Sequence, residues 1–359
     1  MKIKSIFLSL IFFGAILLTG RSNAAVPGEG IVFDSSTGNY TVSYFVELDD
    51  GSKLLQKTIF EPATQIDPLV QSKFRLEETN RILYRYAVSN GSRSRQALDT
   101  IRFVFNSPIF GNQDIPENIS PATEGQVALI LDANTKALVT PLGWGSGIFP
   151  SNKGGVRVSW NSINHGGIQP GNSVAGFGFT STDIPGLGTV EFEGLRKRRI
   201  TYAGDGPQGE VKQQLSALRQ KDFVPRNAAV PTIAVPTPFN AAVLIDRIRT
   251  HVATWSGMQL LDSAFAAQLD RSLVAAANAY RLNNSKAGRE NIESVRKLLE
   301  HEHRFLDHDD EGNDDTEERK AATRLTIDRL AARVLDFDLR YVLMRTEHEH
   351  EESDRRKER

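Results

Sequence analysis

The residues with the most specific chemistry are the carboxylates of a 12-residue window, 307–318. This window has carboxylates at its positions 1, 3, 5, 9 and 12 and a glycine at position 6. An EF-hand loop presents oxygen ligands at this spacing, and its glycine allows the sharp turn around the ion. The spacing predicts a calcium site with the ligands Asp307, Asp309, Glu311, Asp315, Glu318 and the backbone carbonyl of Asn313.

Two features of the same window favour a solvated acidic connection instead. Glu311 is longer than the Asp or Asn that usually stands at position 5, and Asp314 stands where the loop normally directs an apolar side chain inward. The window also holds eight acidic residues, so carboxylates fall at ligand positions by chance. Both interpretations stay open at this point.

Histidines and a basic run offer less specific chemistry. His301 and His303 are two residues apart on a predicted helix and would point in different directions, as surface histidines do. His165 lies in a glycine-rich turn, and the pattern supplies neither a nucleophile nor an orienting carboxylate for it. The run 196–199 is basic and is interpreted as the solvated end of a strand. We therefore predict no catalytic residue.

The first 24 residues have the three parts of a secretory signal peptide. Lys2 and Lys4 precede an apolar run at 6–18, and small residues stand at Ser22 and Ala24. A permanent membrane helix needs about 20 apolar residues, which this run does not reach. We expect cleavage after Ala24, a secreted or periplasmic protein, and no integral membrane segment after cleavage.

Composition narrows the class of protein further. The 359 residues include no cysteine, so no disulfide stabilises the fold. The chain has 43 basic and 44 acidic residues, a formal net charge of −1. This balance gives no reason to expect nucleic acid or an anionic lipid surface as a partner. Its length allows two cores of roughly 100–200 residues each.

Residues 25–203 have the pattern of short β-strands. Apolar and β-branched residues alternate at period two, and Asn-Gly, Asp-Gly and Pro-Gly turns separate the runs. The runs are 40–46, 81–88, 100–105, 127–131, 156–160, 173–180 and 189–192. Seven such strands without a long helical pattern predict an N-terminal antiparallel immunoglobulin-like sandwich.

The pattern changes after residue 203. Residues 204–239 hold one short amphipathic helix at Val211, Leu215 and Leu218, followed by four prolines, and are interpreted as a linker. Residues 240–346 have apolar residues at helical spacing in four segments, which predicts an antiparallel helical bundle or pair of hairpins. Residues 347–359 are a charged tail expected to fray. The predicted class is α+β in separate domains.

Three short motifs carry a resemblance to a family. Ile168-Gln169-Pro170-Gly171-Asn172-Ser173, then Gly176-Phe177-Gly178-Phe179-Thr180-Ser181, then Ile184-Pro185-Gly186 occur in this order. Together they resemble the immunoglobulin-like β-domain of secreted bacterial proteins of unassigned function, followed by a paired-helix module. The resemblance implies fold and export, and it implies no functional residue.

These observations lead to an expectation about function. We expect an exported, non-enzymatic binding or structural protein of the cell envelope or extracellular space. Two alternatives remain: a calcium-binding module that uses 307–318, and a hydrolase of extracellular polymers that works through sandwich loops. A concave cluster of carboxylates, or a partner for His165, would favour the hydrolase.

Overall fold

The computed structural model describes residues 27–78, 80–105, 138–150, 156–163, 166–197, 200–303 and 326–357. It has three antiparallel sheets and five helices, an α+β protein. The chain divides into two compact units. Unit 1 is residues 1–62 with 197–221, and unit 2 is residues 63–196 with 222–359.

Unit 1 contains a three-stranded antiparallel meander. Its strands are β1 (Gly30–Asp34), β2 (Asn39–Glu47) and β3 (Lys53–Phe60), in the order β1-β2-β3. Asp34 organises the first turn, because its carboxylate accepts hydrogen bonds from the backbone N–H and the hydroxyl of Ser36. Such side-chain bonds to nearby backbone are the usual stabilisation of an Asx turn.

One face of this meander is covered by helix α1 (Gly209–Gln220). Alternate residues of β2 point at the helix, and Val211 and Leu215 of α1 meet them in a small core. The Tyr44 hydroxyl accepts a hydrogen bond from the backbone N–H of Ala203, with 2.9 Å between N and O. The short helix that the sequence predicts at Val211, Leu215 and Leu218 is confirmed.

Unit 2 contains the other two sheets. Their strands are β4 (Pro68–Glu78), β5 (Arg81–Asn90), β6 (Leu98–Phe105), β7 (Leu138–Val139), β8 (Trp144–Pro150), β9 (Val156–Ser162), β10 (Ser173–Ser181), β11 (Ile184–Gly194) and β12 (Val224–Ile233). One sheet has the order β4-β5-β10-β7 and the other β12-β11-β6-β9-β8.

Aromatic side chains from both sheets meet in the interior of unit 2. The rings of Tyr86 on β5 and Phe103 on β6 are 4.4 Å apart between centroids, and those of Trp160 and Phe177 are 5.7 Å apart. All four are buried. Aromatic pairs at these distances contribute about 0.5–1.5 kcal/mol beyond their buried area, so this cluster is a large part of the core.

Four helices complete unit 2: α2 (Ala241–Gly257), α3 (Ser263–Arg281), α4 (Ser285–His303) and α5 (Arg329–Lys357). Side chains cap the starts of all four, and at α4 the cap is Asn284, which accepts from the N–H of Ala287. Asn240 accepts from the N–H of Val243. Asp262 and Asp328 likewise accept from the first turns of α3 and α5. Each such cap contributes about 1 kcal/mol.

The helices of unit 2 share one hydrophobic core with its sheets. Trp255 of α2 and Leu339 of α5 belong to the same buried cluster as Phe192 of β11 and Val230 of β12. Both α2 and α5 pack against β11 and β12. The prediction of a separate helical domain is therefore wrong, because the apolar faces of α2 and α5 are buried against the sheet.

The stretch 204–239 is not a linker, since it contains strand β12. This strand pairs along its length with β11, from Phe192↔Val224 to Ile184↔Ile233. Its prolines are tolerated because β12 lies at the edge of its sheet, where a missing N–H breaks no second ladder. Prolines close together in the sequence occur both in linkers and in edge strands, so the pattern by itself predicts either structure.

Two further boundaries differ from the prediction. Residues 25–203 are not one sandwich, because β1 to β3 form their own sheet and bury it against α1. The charged tail does not fray at Glu347, since α5 continues as helix to Lys357. The predicted signal peptide, 1–24, lies outside the described residues. Among the described helices, none is long and apolar enough to cross a membrane.

Candidate functional site

A cleft of about 350 Å³ opens on the surface of unit 2 where α4, α5 and β4 meet. Binding clefts for small ligands commonly have volumes of about 300–1,000 Å³. The residues that line this cleft combine aromatic rings with charged groups: Phe74, Leu299, Glu300, Arg333, Asp336, Phe337 and Arg340.

The helix α5 supplies most of the charged groups because of its periodicity. Arg333, Asp336, Phe337 and Arg340 are spaced i, i+3, i+4 and i+7, so they form one face. The opposite face, which includes Val334, is buried in the core. The helix therefore anchors itself by one side and presents the other to the cleft.

Asp336 is fully engaged with two arginines. Its Oδ1 accepts a hydrogen bond from Nε of Arg296 at 3.0 Å, and its Oδ2 pairs with Nη2 of Arg340 at 2.8 Å. Arg296 also contacts Glu293 on its own helix, at 3.2 Å. A carboxylate held by two guanidiniums is poorly placed to act as a general base, since both oxygens are already acceptors.

Arg333 differs from the other arginines of the cleft because no described carboxylate pairs with it. Its Nη2 donates to the backbone carbonyl of Ser72 at 3.3 Å, and its guanidinium lies over the ring of Phe74, 5.8 Å from the centroid. A cation over an aromatic ring gains about 0.5–1 kcal/mol when exposed. The positive charge of Arg333 is therefore positioned but not neutralised.

The aromatic part of the cleft is a perpendicular pair. The rings of Phe74 and Phe337 are 5.1 Å apart between centroids and 88° apart in plane. Both side chains are half-buried, while Leu299 behind them is buried. The arrangement leaves apolar surface open beside an unneutralised cation, which suits a ligand with both apolar and anionic parts.

A second cluster of polar groups lies inside unit 2. Asp338 on α5 is fully buried, and neither oxygen of its carboxyl group has a hydrogen-bond partner. Burial raises the pKa of this carboxyl well above its usual range. Tyr84 interacts electrostatically with this carboxyl group, and Tyr84 is linked in turn to Asp183 and to Tyr341, which lies beside Arg345. Because the cluster is sealed from solvent, it offers no route for a ligand.

The three motifs that carry the family resemblance have structural roles here. Phe177 and Phe179 belong to the aromatic core, and Ile168 forms an isolated bridge with Leu98. Gly171 donates its N–H to the carbonyl of Asn90 at 2.7 Å, and the Asn90 side-chain amide donates to the carbonyl of Ile168 at 3.0 Å. These motifs therefore attach a loop to a neighbouring strand and pack a strand into the core. They do not line the cleft.

The proposed calcium ligands cannot be placed, because Asp307, Asp309, Glu311, Asn313, Asp315 and Glu318 all lie outside the described residues. Helix α5 does not follow this window directly, since it begins at Arg329 behind the cap Asp328. Within the described ranges, no group of three or more His, Cys, Asp or Glu side chains could hold a metal ion. The calcium site stays a prediction.

Other candidates from the sequence have mixed outcomes. His165, Arg198 and Arg199 lie outside the described residues. The run 196–199 was interpreted as a solvated strand end, but Arg196 forms an ion pair with Asp222, with 2.5 Å between Nη2 and Oδ2. The tryptophan of the glycine-rich stretch, Trp144, is buried and packs edge-on against Phe177, with 5.0 Å between centroids.

In comparisons with protein-family models, curated proteins and solved structures, nothing matches this chain. The assignment of function therefore rests on the chemistry of the cleft and on the patterns of the sequence.

Proposed function

We propose that this chain is an exported, non-enzymatic binding protein and that the cleft between α4, α5 and β4 is its ligand site. The observation that carries the proposal is Arg333, a positioned guanidinium without a described carboxylate partner beside two half-buried phenylalanines. An unneutralised cation next to open apolar surface is typical of a recognition site.

Export is part of the proposal. The charged start, short apolar run and small residues of 1–24 support a cleaved signal peptide and a secreted or periplasmic location. The paired sheets of unit 2, with their shared aromatic core, support an immunoglobulin-like sandwich, and α2 to α5 support a four-helix arrangement packed on it. Such a framework suits a binding module of the envelope or extracellular space.

The chemistry of the cleft favours binding over hydrolysis. Its two carboxylates are Glu300 and Asp336. Asp336 uses both oxygens on arginines, and Glu300 is exposed, with 3.9 Å between its Oε1 and Nη2 of Arg296. General acid–base catalysis needs a carboxyl group that can exchange a proton with the substrate. Of the two carboxylates that line the cleft, only Glu300 could serve, whereas a glycoside hydrolase usually needs a pair.

Site-specific crosslinking tests the proposal. A photo-reactive amino acid at position 300, on the rim of the cleft, should form adducts with an envelope or extracellular component in the producing cell. The same amino acid at position 271, an exposed site on α3, is the matched control. Adducts that depend on position 300 support the proposal, whereas equal labelling at both positions contradicts it.

A further inference from the structure

We propose that the cleft binds an acidic peptide segment whose two carboxylates reach Arg333 and Arg340, while an apolar side chain between them contacts Phe337. This inference rests on the proposed function, because it names the ligand class of the same cleft. It follows from the spacing of the two arginines, from their unused donors and from the orientation of the rings.

The first step is the spacing along α5. Arg333 and Arg340 are seven residues apart, which is about two turns and about 10.5 Å of helix rise. They share one face, and Phe337 lies between them. Three residues of a peptide in the polyproline II conformation complete one turn and rise about 9.3 Å, so side chains at i and i+3 lie on the same face. Carboxylates at positions i and i+3 of a bound segment therefore match the two guanidiniums.

The second step is the number of free donors. A guanidinium has five N–H donors in a planar fork. The one hydrogen bond of Arg333 goes to the Ser72 carbonyl, and the described carboxylate partner of Arg340 is Asp336. Arg340 also keeps 63% of its side chain exposed. Each arginine retains donors for a charge-assisted, two-pronged bond to an incoming carboxylate.

The third step separates a peptide from a sugar or nucleic acid polymer. Stacking of a sugar ring or a base needs an open aromatic face. One face of Phe74 lies under the Arg333 guanidinium, and Phe337 meets Phe74 at 88°. Two perpendicular rings cannot sandwich a flat ring between them, whereas a branched aliphatic side chain fits against both.

The experiment measures binding of labelled peptides to the full mature chain by fluorescence anisotropy at low salt. The probe contains Glu-Leu-Gly-Glu, with its carboxylates three residues apart. Two matched probes carry Gln in place of both Glu, or place the two Glu side by side. We expect the spaced probe to bind best, with affinity that falls as salt is added.

Variants of the chain locate the binding. Arg333→Gln and Arg340→Gln should each weaken the spaced probe about tenfold, the usual effect of losing a charged hydrogen bond. Arg333→Lys should be intermediate, because it keeps the charge and loses the fork. Arg271→Gln removes an exposed arginine from α3 and should change nothing. Unchanged circular dichroism and melting temperature confirm that each variant is folded.

Three outcomes would overturn the inference. One is equal binding of the spaced, adjacent and Gln probes, and another is equal loss in Arg271→Gln. The third is an acidic oligosaccharide, such as a galacturonate oligomer, that binds in the cleft where the peptide does not. Crosslinks at position 300 without peptide binding would leave the proposed function standing and reject the ligand class alone.

Discussion

The carboxylate of Asp222 accepts a hydrogen bond from the backbone N–H of Ala63, with 2.7 Å between Oδ1 and N. Its other oxygen, Oδ2, pairs with Nη2 of Arg196 at 2.5 Å. Residues 63, 196 and 222 are the three points at which the chain enters or leaves unit 2. One buried side chain therefore connects all three ends of unit 2.

Replacement of Asp222 should destabilise unit 2. Asp222→Ala leaves the buried N–H of Ala63 without an acceptor and Arg196 without its carboxylate, so we expect a loss of about 2–3 kcal/mol in the free energy of unfolding. Asp222→Asn keeps an acceptor for Ala63 and loses only the charge. Because Arg196 is 36% exposed, solvent screens the ion pair and the Asn variant should lose less.

Urea denaturation of both variants measures these losses. Asp270→Ala provides the control, because Asp270 pairs with Arg249 but is 48% exposed. Exposed pairs contribute about 0–1 kcal/mol. Equal losses for Asp222→Ala and Asp270→Ala would show that the three ends of unit 2 do not depend on Asp222.

Gly178, in the middle of the second family motif, should tolerate no side chain. A Cβ atom there would overlap the backbone carbonyl oxygen of Tyr84 on the neighbouring strand, and it would lie 2.9 Å from Cδ of Arg85. Backbone on a paired strand cannot move aside cheaply. We expect Gly178→Ala to cost at least about 2 kcal/mol, as overpacking of a core does.

Thermal melting of a matched pair checks this prediction. Gly145 lies in β8, and a Cβ atom at that position would come no closer than 3.9 Å to another residue. Gly145→Ala should therefore leave the melting temperature within a few degrees of the parent, while Gly178→Ala lowers it by roughly 5 °C or more. A melting temperature that Gly178→Ala leaves unchanged would mean that β5 and β10 are not paired as described.

The helices, and six of the twelve described strands, were predictable from the sequence. Alternation at period two located β2, β5 and β6 to within about two residues, and helical spacing located α2 and α3. These segments bury one face each, so their sequences carry the period directly. Boundaries between units were not predictable, because they depend on which distant element covers each face.

The cleft shows the same limit. Phe337 fits the apolar helical spacing of 240–346, yet its half-buried ring lies at the edge of the core. Phe74 belongs to β4, where residues 70–77 alternate between the core face and charged or polar side chains, but this run was not among the strands predicted from the sequence. The cleft forms where three segments that are distant in the sequence come into contact. Local periodicity in a single sequence does not show which distant segments are in contact. The Arg333-Phe337-Arg340 spacing was the one local signal available.

The helical segment should not fold alone, contrary to what its sequence pattern suggests. Within unit 2, Arg333 donates to the Ser72 carbonyl on β4, and α2 and α5 bury residues against β11 and β12. A fragment 238–359 would expose that apolar surface to water. We expect residual helical circular dichroism without a cooperative thermal transition.

The chain 25–359 is the control for this fragment and should melt cooperatively. Binding of a hydrophobic dye by the fragment, and not by the full chain, would identify the exposed face of α2 and α5. A fragment that melts in one sharp step and binds no dye would establish an independent helical domain and contradict the shared core.

Asp338 should make the stability of unit 2 depend on pH. Burial raises the pKa of its carboxyl in the folded state, and neither oxygen has a hydrogen-bond partner. Desolvation is the cause of this rise in pKa. The folded chain therefore holds a proton that the unfolded chain releases near pH 4.

The contribution of protonated Asp338 to the free energy of unfolding is fully present below the unfolded pKa of about 4. This contribution is lost as the pH rises through the folded pKa, and the free energy of unfolding falls by at most about 1.4 kcal/mol per pH unit. Asp338→Asn has no such titration. We therefore expect the free energy of unfolding of Asp338→Asn, measured by urea denaturation, to exceed that of the parent by more at pH 8 than at pH 4.

Asp338→Leu removes the unpartnered polar atoms altogether and should stabilise the fold more than Asn at every pH. Asp49→Asn, at an exposed turn, is the matched control and should follow the parent throughout. An advantage of Asp338→Asn that stays constant across this range would show that Asp338 does not keep its proton in the folded protein.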